Sequence, residues 1–283
     1  MRVMTKADIP GGMRLKEIAG WNQTTEDWNR FLDASPEGCF VADIDGDIRG
    51  TVATMVYEDR FAWISMVLVD PAYRGQGWGR KLLRRAIEYL QNAKIPCIKL
   101  DATALGKPLY EKIGFQTEYE IERHTRTKAE GREPAVEDRL SPGAVSAEGL
   151  QMILAGDREV FGADRGQLLR AMWHEAPELA GAVWDGPTLR GSMFARHGSF
   201  ADHLGPWMSK DREAASALLN SFIARSNRET VLVDVLKSNS MATGLLKSAG
   251  FQYARPLTRM FLGVNQQSGK MENLCAITGP EFG

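Results

Sequence analysis

The segment Val67-Leu-Val-Asp-Pro-Ala-Tyr-Arg-Gly-Gln-Gly-Trp-Gly79 connects an apolar run typical of a β-strand to a run with helical spacing. Its glycines, at positions 75, 77 and 79, let the backbone approach a ligand without interference from Cβ atoms. The first N–H groups of a helix have no partner within the helix and, together with the helix dipole, they attract anions. The segment therefore predicts a phosphate site between a strand and the helix that follows it.

Positive charge is concentrated around this segment, although the chain as a whole is nearly neutral. The 283 residues include 35 Lys and Arg against 36 Asp and Glu, which gives a net charge of -1. No acidic residue lies between Pro71 and Arg85. The overall balance argues against a nucleic acid or an acidic membrane as partner, and the local cluster favours a small nucleotide cofactor. The basic residues of this cluster are Arg74, Arg80, Lys81, Arg84 and Arg85.

Two other phosphate-binding motifs fit the segment less well. A P-loop ends in Gly-Lys-Ser/Thr, whereas the residues here are Gly79-Arg80-Lys81-Leu82. A dinucleotide fingerprint needs a glycine at the sixth position from Gly75, where Arg80 stands, and it follows the first strand directly. Asp101 imitates the acid that binds ribose in such folds, so a nicotinamide-dependent oxidoreductase stays open as a weaker alternative.

The surrounding sequence alternates strand and helix patterns and therefore predicts an α/β fold. Thr24, followed by acidic residues and an apolar stripe, is typical of a helix start. Asp45-Gly46 between two apolar runs predicts a tight turn, and Gly114 is a natural stop for a short helix. The predicted strands are Cys39–Ile44, Ile48–Glu58, Phe61–Val69, Cys97–Leu100 and Phe115–Thr125, with a short helix over Pro108–Ile113.

The length suits two domains of about 150 residues each, and the second half of the chain partly repeats the first. Tyr110–Gln116 and Leu245–Gln252 each run from a helical pattern through Gly-Phe-Gln into a strand pattern. Between the halves, Lys128–Gly143 is rich in charges and helix breakers, as is typical of a linker. We therefore predict a first domain at 1–127, a linker at 128–143 and a second domain at 144–283.

These features together resemble one protein family. Arg74, Gly77 and Gly79 occupy the fixed positions of the motif Q/R-x-x-G-x-G/A of the GCN5-related N-acetyltransferases (GNAT), and Tyr110–Phe115 is similar to that family's C-terminal motif. The resemblance implies an α/β fold with a mixed sheet over residues 1–127. It extends to a subgroup of tandem members, which implies two tandem GNAT-like acyl-CoA N-acyltransferase folds, the second of them degenerate.

The second half lacks the signals of a phosphate loop. We expect Leu204–Trp207 to stand where that loop would be. The stretch has one glycine and a proline without an N–H group, and the acidic residues Asp211 and Glu213 follow it. We therefore expect no competent CoA site in the second domain.

The resemblance also assigns roles to residues of the first domain. It implies that pantetheine lies along Met66–Val69 and that Tyr110 is the general acid that protonates the departing thiolate. The base that takes the proton of the amine remains open between Glu58, Asp101 and a water-mediated route. The residues implied in CoA binding are Val67, Leu68, Val69, Arg74, Gly75, Gln76, Gly77, Trp78, Gly79, Arg80 and Lys81.

The function implied by the resemblance is direct transfer of an acetyl group from acetyl-CoA to a primary amine of a small molecule or peptide. A module that binds acyl-CoA without turnover is the alternative. We expect no metal, since the four histidines lack ligand spacing, and no nucleic acid or membrane partner, while a homodimer stays open. Three widely spaced cysteines and the absence of a signal peptide predict a cytoplasmic protein. The side chains predicted to be buried are Trp28, Trp63, Cys39 and Cys97.

Overall fold

The chain forms two compact units, each of which takes in segments from distant parts of the sequence. The computed structural model describes residues 1–128, 140–266 and 269–283. Most of the predicted linker, residues 129–139, therefore lies outside the described residues. Unit 1 comprises Met1–Thr117, Met260–Gln266 and Phe282, and unit 2 comprises Glu118–Arg259, Gln267–Glu281 and Gly283.

Unit 1 contains the elements predicted around the glycine-rich segment. The turn at Asp45-Gly46 is confirmed, and both of its residues have positive φ. The predicted helix start is also confirmed, because Thr24 and Asp27 form a capping box. In chain order the elements are β1 (Arg2–Val3), α1 (Ile9–Ile18), α2 (Thr25–Ala34), β2 (Phe40–Ile44), β3 (Asp47–Tyr57), β4 (Phe61–Val69), α3 (Trp78–Asn92), β5 (Cys97–Ala102) and α4 (Lys107–Ile113).

The core of unit 1 confirms the predicted burial. Trp28, Trp63, Cys39 and Cys97 are all nearly inaccessible to solvent. Burial in apolar surroundings raises the pKa of the Cys39 thiol to about 11, so this thiol is not a reactive thiolate near neutral pH. Helix α3 contributes one apolar stripe to the same core, made of Leu82, Leu83, Ala86, Ile87 and Leu90.

The strands of unit 1 follow the order β1-β2-β3-β4-β5, with β1 to β4 antiparallel and β5 parallel to β4. Strands β4 and β5 pair at Ala62 and Trp63 and then separate. The register between β3 and β4 shifts between Thr51 and Ala53, opposite Ser65 and Leu68. A bulge of this kind bends a strand and re-aims its residues. No pair with β5 follows Trp63 among the described residues, so the C-terminal half of β4 separates from β5; we call the gap between the two strands the cleft.

Unit 2 repeats the same order of elements from the second half of the chain. The helix and strand predicted from Leu245–Gln252 are confirmed, and a further strand precedes them. Its elements are β6 (Gln116–Thr127), nearly all of which belongs to this unit, α5 (Ala147–Phe161), α6 (Gly166–Glu175), β7 (Gly181–Asp185), β8 (Thr188–His197), β9 (Ala201–Ser209), α7 (Arg212–Arg225), β10 (Thr230–Leu236), α8 (Ser240–Ser248), β11 (Gln252–Gly263) and β12 (Leu274–Ala276).

The parallel strands β9 and β10 of unit 2 also pair for a short distance and then separate. They pair from Ala201 opposite Thr230 to Leu204 opposite Val233. Beyond that point the short strand β12 lies between them and pairs antiparallel with both. The gap between the two parallel strands is therefore filled by the chain's own backbone.

The sheet of each unit includes a strand segment from the other half of the chain. In unit 2, β6 pairs antiparallel with β10 along seven residues, from Thr230 opposite Thr127 to Leu236 opposite Ile121. In unit 1, the end of β11 lies beside β5, and the N–H of Val264 donates to the carbonyl oxygen of Pro96 at 2.9 Å. Among the described residues, none of the helices combines the length and apolar character needed to cross a bilayer.

Candidate active site

The glycine-rich loop of unit 1 has the backbone conformation that its glycines predict. Gly75 and Gly77 have φ values of 76° and 82°, in the left-handed region that other residues adopt only with strain. Gly77 is the N-cap of α3, and no side chain caps the helix there. The loop therefore turns directly into the helix and leaves its first turn open.

The first N–H groups of α3 are available to a ligand. The described residues provide no acceptor for the N–H groups of Trp78, Gly79 and Arg80, and no acidic residue occurs in the first turn. The Lys81 ammonium lies 4.5 Å from the centre of the Trp78 ring. Free N–H groups, a helix dipole and basic side chains at one place are the elements of a phosphate site.

A buried carboxylate that the sequence reasoning missed holds the start of the loop. Asp70 Oδ2 accepts hydrogen bonds from Arg14 at 3.0 Å and Arg49 at 3.1 Å, and Oδ1 accepts one from the N–H of Ala72 at 3.1 Å. Burial opposes ionisation of Asp70, but these donors outweigh it and lower the pKa of the carboxyl group. The available signal was the Asp-Pro pair at the strand end, which is typical of a turn start.

The bulge in β4 positions backbone groups beside the loop. Met66 has φ of 52°, which is strained for a residue with a side chain, and the Thr51 hydroxyl donates to its carbonyl oxygen at 2.7 Å. Val67–Val69 follow the bulge, past the point where β4 pairs with β5. The structure thus brings the predicted pantetheine-binding residues and the phosphate loop into one continuous segment bordering the cleft.

Tyr110 lies on α4 beside this segment. A Cβ placed on Gly79 would be 3.9 Å from Cδ2 of Leu109, the residue that precedes Tyr110. The ring of Tyr110 packs so closely over Gly106 that a side chain there would overlap it. Its hydroxyl has no hydrogen-bond partner among the described residues, and burial raises its pKa to about 12. Tyr110 is therefore a protonated phenol at neutral pH with its O–H not committed to another residue.

The two candidate bases occupy different places. Glu58 lies in the turn between β3 and β4, where its carboxylate is 3.5 Å from Arg60, at the end of β4 opposite to the phosphate loop. Asp101 lies inside β5, and the turn that follows is closed instead by the hydroxyl of Thr103. Trp63 of β4 pairs with Lys99 of β5. Ser65 and Asp101 each follow two residues later, so the parallel register places them level with each other across the cleft. Asp101 is thus near the cleft and Glu58 is not.

The prediction that Leu204–Trp207 stands in the place of the second phosphate loop is wrong. These residues lie within β9, and the connection to α7 consists of Lys210 and Asp211. Gly205 serves a different purpose from the loop glycines, because a Cβ there would lie 1.9 Å from the carbonyl oxygen of Ile277. The glycine admits the segment that follows β12, and not a phosphate.

The start of α7 in unit 2 already contains negative charge. The Asp211 carboxylate caps the helix by accepting from the N–H of Ala214 at 2.9 Å. Arg190 contacts both Asp211 and Glu213, at 2.9 and 3.0 Å. These carboxylates occupy the start of α7, whereas the first turn of α3 contains no acidic residue.

Unit 2 instead has a buried cluster of ionisable residues. Asp234 accepts two hydrogen bonds from Arg123, at 2.7 and 2.8 Å, and lies 2.9 Å from His203 Nε2. His203 Nδ1 lies 3.2 Å from a guanidinium nitrogen of Arg196. No group of three or more potential metal ligands occurs among the described residues. The cluster therefore joins β6, β8, β9 and β10 by side-chain contacts.

This cluster predicts a loss of stability in mild acid. Burial outweighs the attraction of Asp234 and lowers the pKa of His203 from 6.5 to about 4. Between these values the unfolded chain binds a proton that the folded chain does not, so the free energy of unfolding should fall as the pH decreases from 6.5 to 4. Urea denaturation at pH 7 and 4.5 should show a loss of roughly 1–3 kcal/mol attributable to this residue. His203→Gln should reduce the difference between the two pH values; an unchanged difference would contradict the assignment.

The comparisons with known proteins agree with this geometry. Residues 14–115 match the family described as "Acetyltransferase (GNAT) family", and residues 153–276 match a second model described as "Acetyltransferase (GNAT) domain". The holothin acyltransferase of Pseudoalteromonas sp. (strain SANK 73390) is 23% identical over 264 residues, which cover 93% of this chain and 87% of that protein.

Two solved structures share the fold along nearly the whole chain. A putative acetyltransferase from Pyrococcus horikoshii has a TM-score of 0.83 at 21% identity and covers 100% of this chain and 95% of its own. A tandem GNAT protein from the clavulanic acid biosynthesis pathway has a TM-score of 0.66 at 13% identity and covers 93% of this chain and 97% of its own. The chain therefore belongs to the GNAT family, as a tandem member with a GNAT domain in each half.

Proposed function

We propose that this protein is an N-acetyltransferase that moves the acetyl group of acetyl-CoA to a primary amine of a small molecule or peptide, and that unit 1 alone carries the reaction. The observation that supports this most strongly is the open first turn of α3, behind two glycines with positive φ and among basic side chains. Acyltransferases and acetyltransferases among the relatives support acyl transfer in general.

The residues of unit 1 fit the parts of acetyl-CoA, which supplies an activated acetyl thioester. The N–H groups of Trp78, Gly79 and Arg80 would hold the pyrophosphate, and the basic side chains around them would add charge. The backbone of Val67–Val69, beyond its pairing with β5, would bind the amide groups of pantetheine as a neighbouring strand does.

Two side chains are proposed to handle the protons. Asp101 takes the proton that the amine nitrogen loses as it bonds to the acyl carbon. Tyr110 gives its hydroxyl proton to the sulfur as the carbon–sulfur bond breaks. We favour Asp101 over Glu58 because its register places it at the cleft, whereas Glu58 lies in the turn at the other end of β4.

Calorimetry and a thiol-release assay test this function. We expect one acetyl-CoA per chain, because β12 and the acidic start of α7 occupy the corresponding places in unit 2. Thiol release should depend on an added amine from a panel of propylamine, 2-phenylethylamine, spermidine, glycinamide, glucosamine and an alanyl peptide. Absence of binding would refute the proposal, and binding without amine-dependent release from any panel member would favour an acyl-CoA sensing module.

Substitutions at one position of the loop, Gly79, can test phosphate binding without disturbing the fold. Gly79 is the second residue of α3, as Glu213 is of α7, and a Cβ at Gly79 would meet only ordinary contacts at 3.7 and 3.9 Å. Gly79→Glu should weaken acetyl-CoA binding by about 30-fold or more while the added charge favours the helix start. Gly79→Ala is the matched control: the family motif takes glycine or alanine at this position, so this variant should lose far less acetyl-CoA binding than Gly79→Glu. Equal losses in both variants would contradict the phosphate assignment.

A further inference from the structure

A buried hydroxyl without a partner lies at the mouth of the cleft in unit 1. Ser65 is 8% exposed, its Oγ is inaccessible to solvent, and no hydrogen-bond partner is present for it. Leaving a buried hydroxyl unpaired is unfavourable, so such a group in a folded protein calls for an explanation. Its position, one residue before the bulge at Met66, suggests one.

The face on which Ser65 lies follows from strand alternation. Ala62 and Ile64 of β4 pack in the core with α3, so Trp63 and Ser65 point to the other face of the sheet. In β5, Ile98 and Leu100 belong to the same core, which places Lys99 and Asp101 on the face of Ser65. Trp63 pairs with Lys99, and Ser65 and Asp101 follow two residues later on parallel strands. Ser65 and Asp101 thus lie on one face, level with each other, where the strands part.

The neighbours of Ser65 on its face of the sheet do not use its hydroxyl. Its partner across β3 is Ala53, and before it on the same face lies the indole of Trp63. The Thr51 hydroxyl is already used, since it donates to the Met66 carbonyl oxygen. The hydroxyl of Ser65 therefore has no hydrogen-bond partner among the described residues at this point of the sheet.

We propose that Ser65 Oγ binds the amino group of the acceptor substrate by accepting a hydrogen bond from one N–H, an inference that rests on the acetyltransferase function proposed above. A neutral primary amine has two N–H groups and one lone pair. With one N–H on Ser65 and the other directed to Asp101, the lone pair is left for the acyl carbon. An alcohol has a single O–H and can therefore donate to Ser65 or to Asp101, but not to both. The site therefore selects primary amines over alcohols, with Trp63 beside the carbon that bears the nitrogen.

The test compares three serine variants with the panel amine that has the highest kcat/KM. Ser65→Ala should lower kcat/KM for that amine by about 10- to 100-fold, with no change in acetyl-CoA binding. Ser65→Cys keeps the volume but offers only a weak acceptor, so it should lose nearly as much. Ser192→Ala is the control, because Ser192 Oγ in unit 2 is equally buried and unpartnered, and this variant should keep full activity.

Each other outcome counts against Ser65. An unchanged kcat/KM in Ser65→Ala, or full activity in Ser65→Cys, would overturn the hydrogen bond and leave the acetyltransferase function standing. An equal loss of acetyl-CoA binding would make Ser65 a structural residue of the cofactor site. If no panel amine reacts with the unchanged protein, the proposed function fails first, and the role of Ser65 fails with it.

Discussion

Tyr110→Phe should lower kcat by about 10²–10³-fold without lowering the melting temperature. The hydroxyl makes no hydrogen bond to any described residue, so its removal leaves no partner unsatisfied. Its pKa of about 12 keeps it protonated throughout the neutral range, so activity should show no decline from Tyr110 ionisation below pH 11. Steady-state kinetics with acetyl-CoA and the best panel amine, beside thermal unfolding, measure both effects.

Tyr57→Phe gives the opposite pattern and serves as the control. The Tyr57 hydroxyl is buried and donates to the carbonyl oxygen of Phe282 at 2.7 Å within unit 1. Its removal should cost about 1–2 kcal/mol of stability, because a buried carbonyl loses its donor, and should leave kcat unchanged. If Tyr110→Phe also unfolded at a lower temperature, or kept full kcat, its role as general acid would be wrong.

Asp234→Asn should be the most destabilising substitution among those considered, at about 3–5 kcal/mol. Asp234 is fully buried, is bonded by two nitrogens of Arg123 and contacts His203. Burial opposes its charge, but the Arg123 guanidinium prevails and holds the pKa of the carboxyl group far below its usual range. The neutral amide would leave the Arg123 charge buried without a counter-ion.

Glu159→Gln is the comparison for Asp234→Asn. Glu159 pairs with Lys270 at 2.7 Å, but both side chains are more than half exposed, so loss of this pair should change stability by less than about 1 kcal/mol. Urea denaturation of both variants at pH 7 gives the two free energies. Equal effects would mean that the buried pair contributes no more than an exposed one.

The parts of unit 1 that were predicted from sequence depend on local signals. Three conformations are each determined by a few neighbouring residues, and each is confirmed: the turn at Asp45-Gly46, the cap at Thr24 and the glycine loop. The apolar run after Gly79 repeats at the helical period and predicts a helix, which is confirmed as α3 with this stripe in the core. Local conformation and one-sided burial therefore follow from the order of residues alone.

The parts that were not predicted depend on contacts between distant residues. Asp70 was given no role from the sequence, yet it binds Arg14 and Arg49 from two other elements. Gly205 was assigned to the place of a second phosphate loop, whereas it lies within β9 and the backbone at Ile277 requires a glycine there. Strand β12 lacks a distinctive pattern and pairs only because two other strands part. The lack of a hydrogen-bond partner for the Ser65 hydroxyl likewise can be recognised only from the structure.

The placement of β11 has a consequence for the order of events during synthesis. A ribosome releases the N-terminal half first, but the strand segment that lies beside β5 in unit 1 emerges only after residues 103–259. Until then, β5 presents an open edge, which is a site for mispairing with other chains. We expect the nascent first half to stay incomplete until that segment emerges, and therefore to depend on chaperones during synthesis.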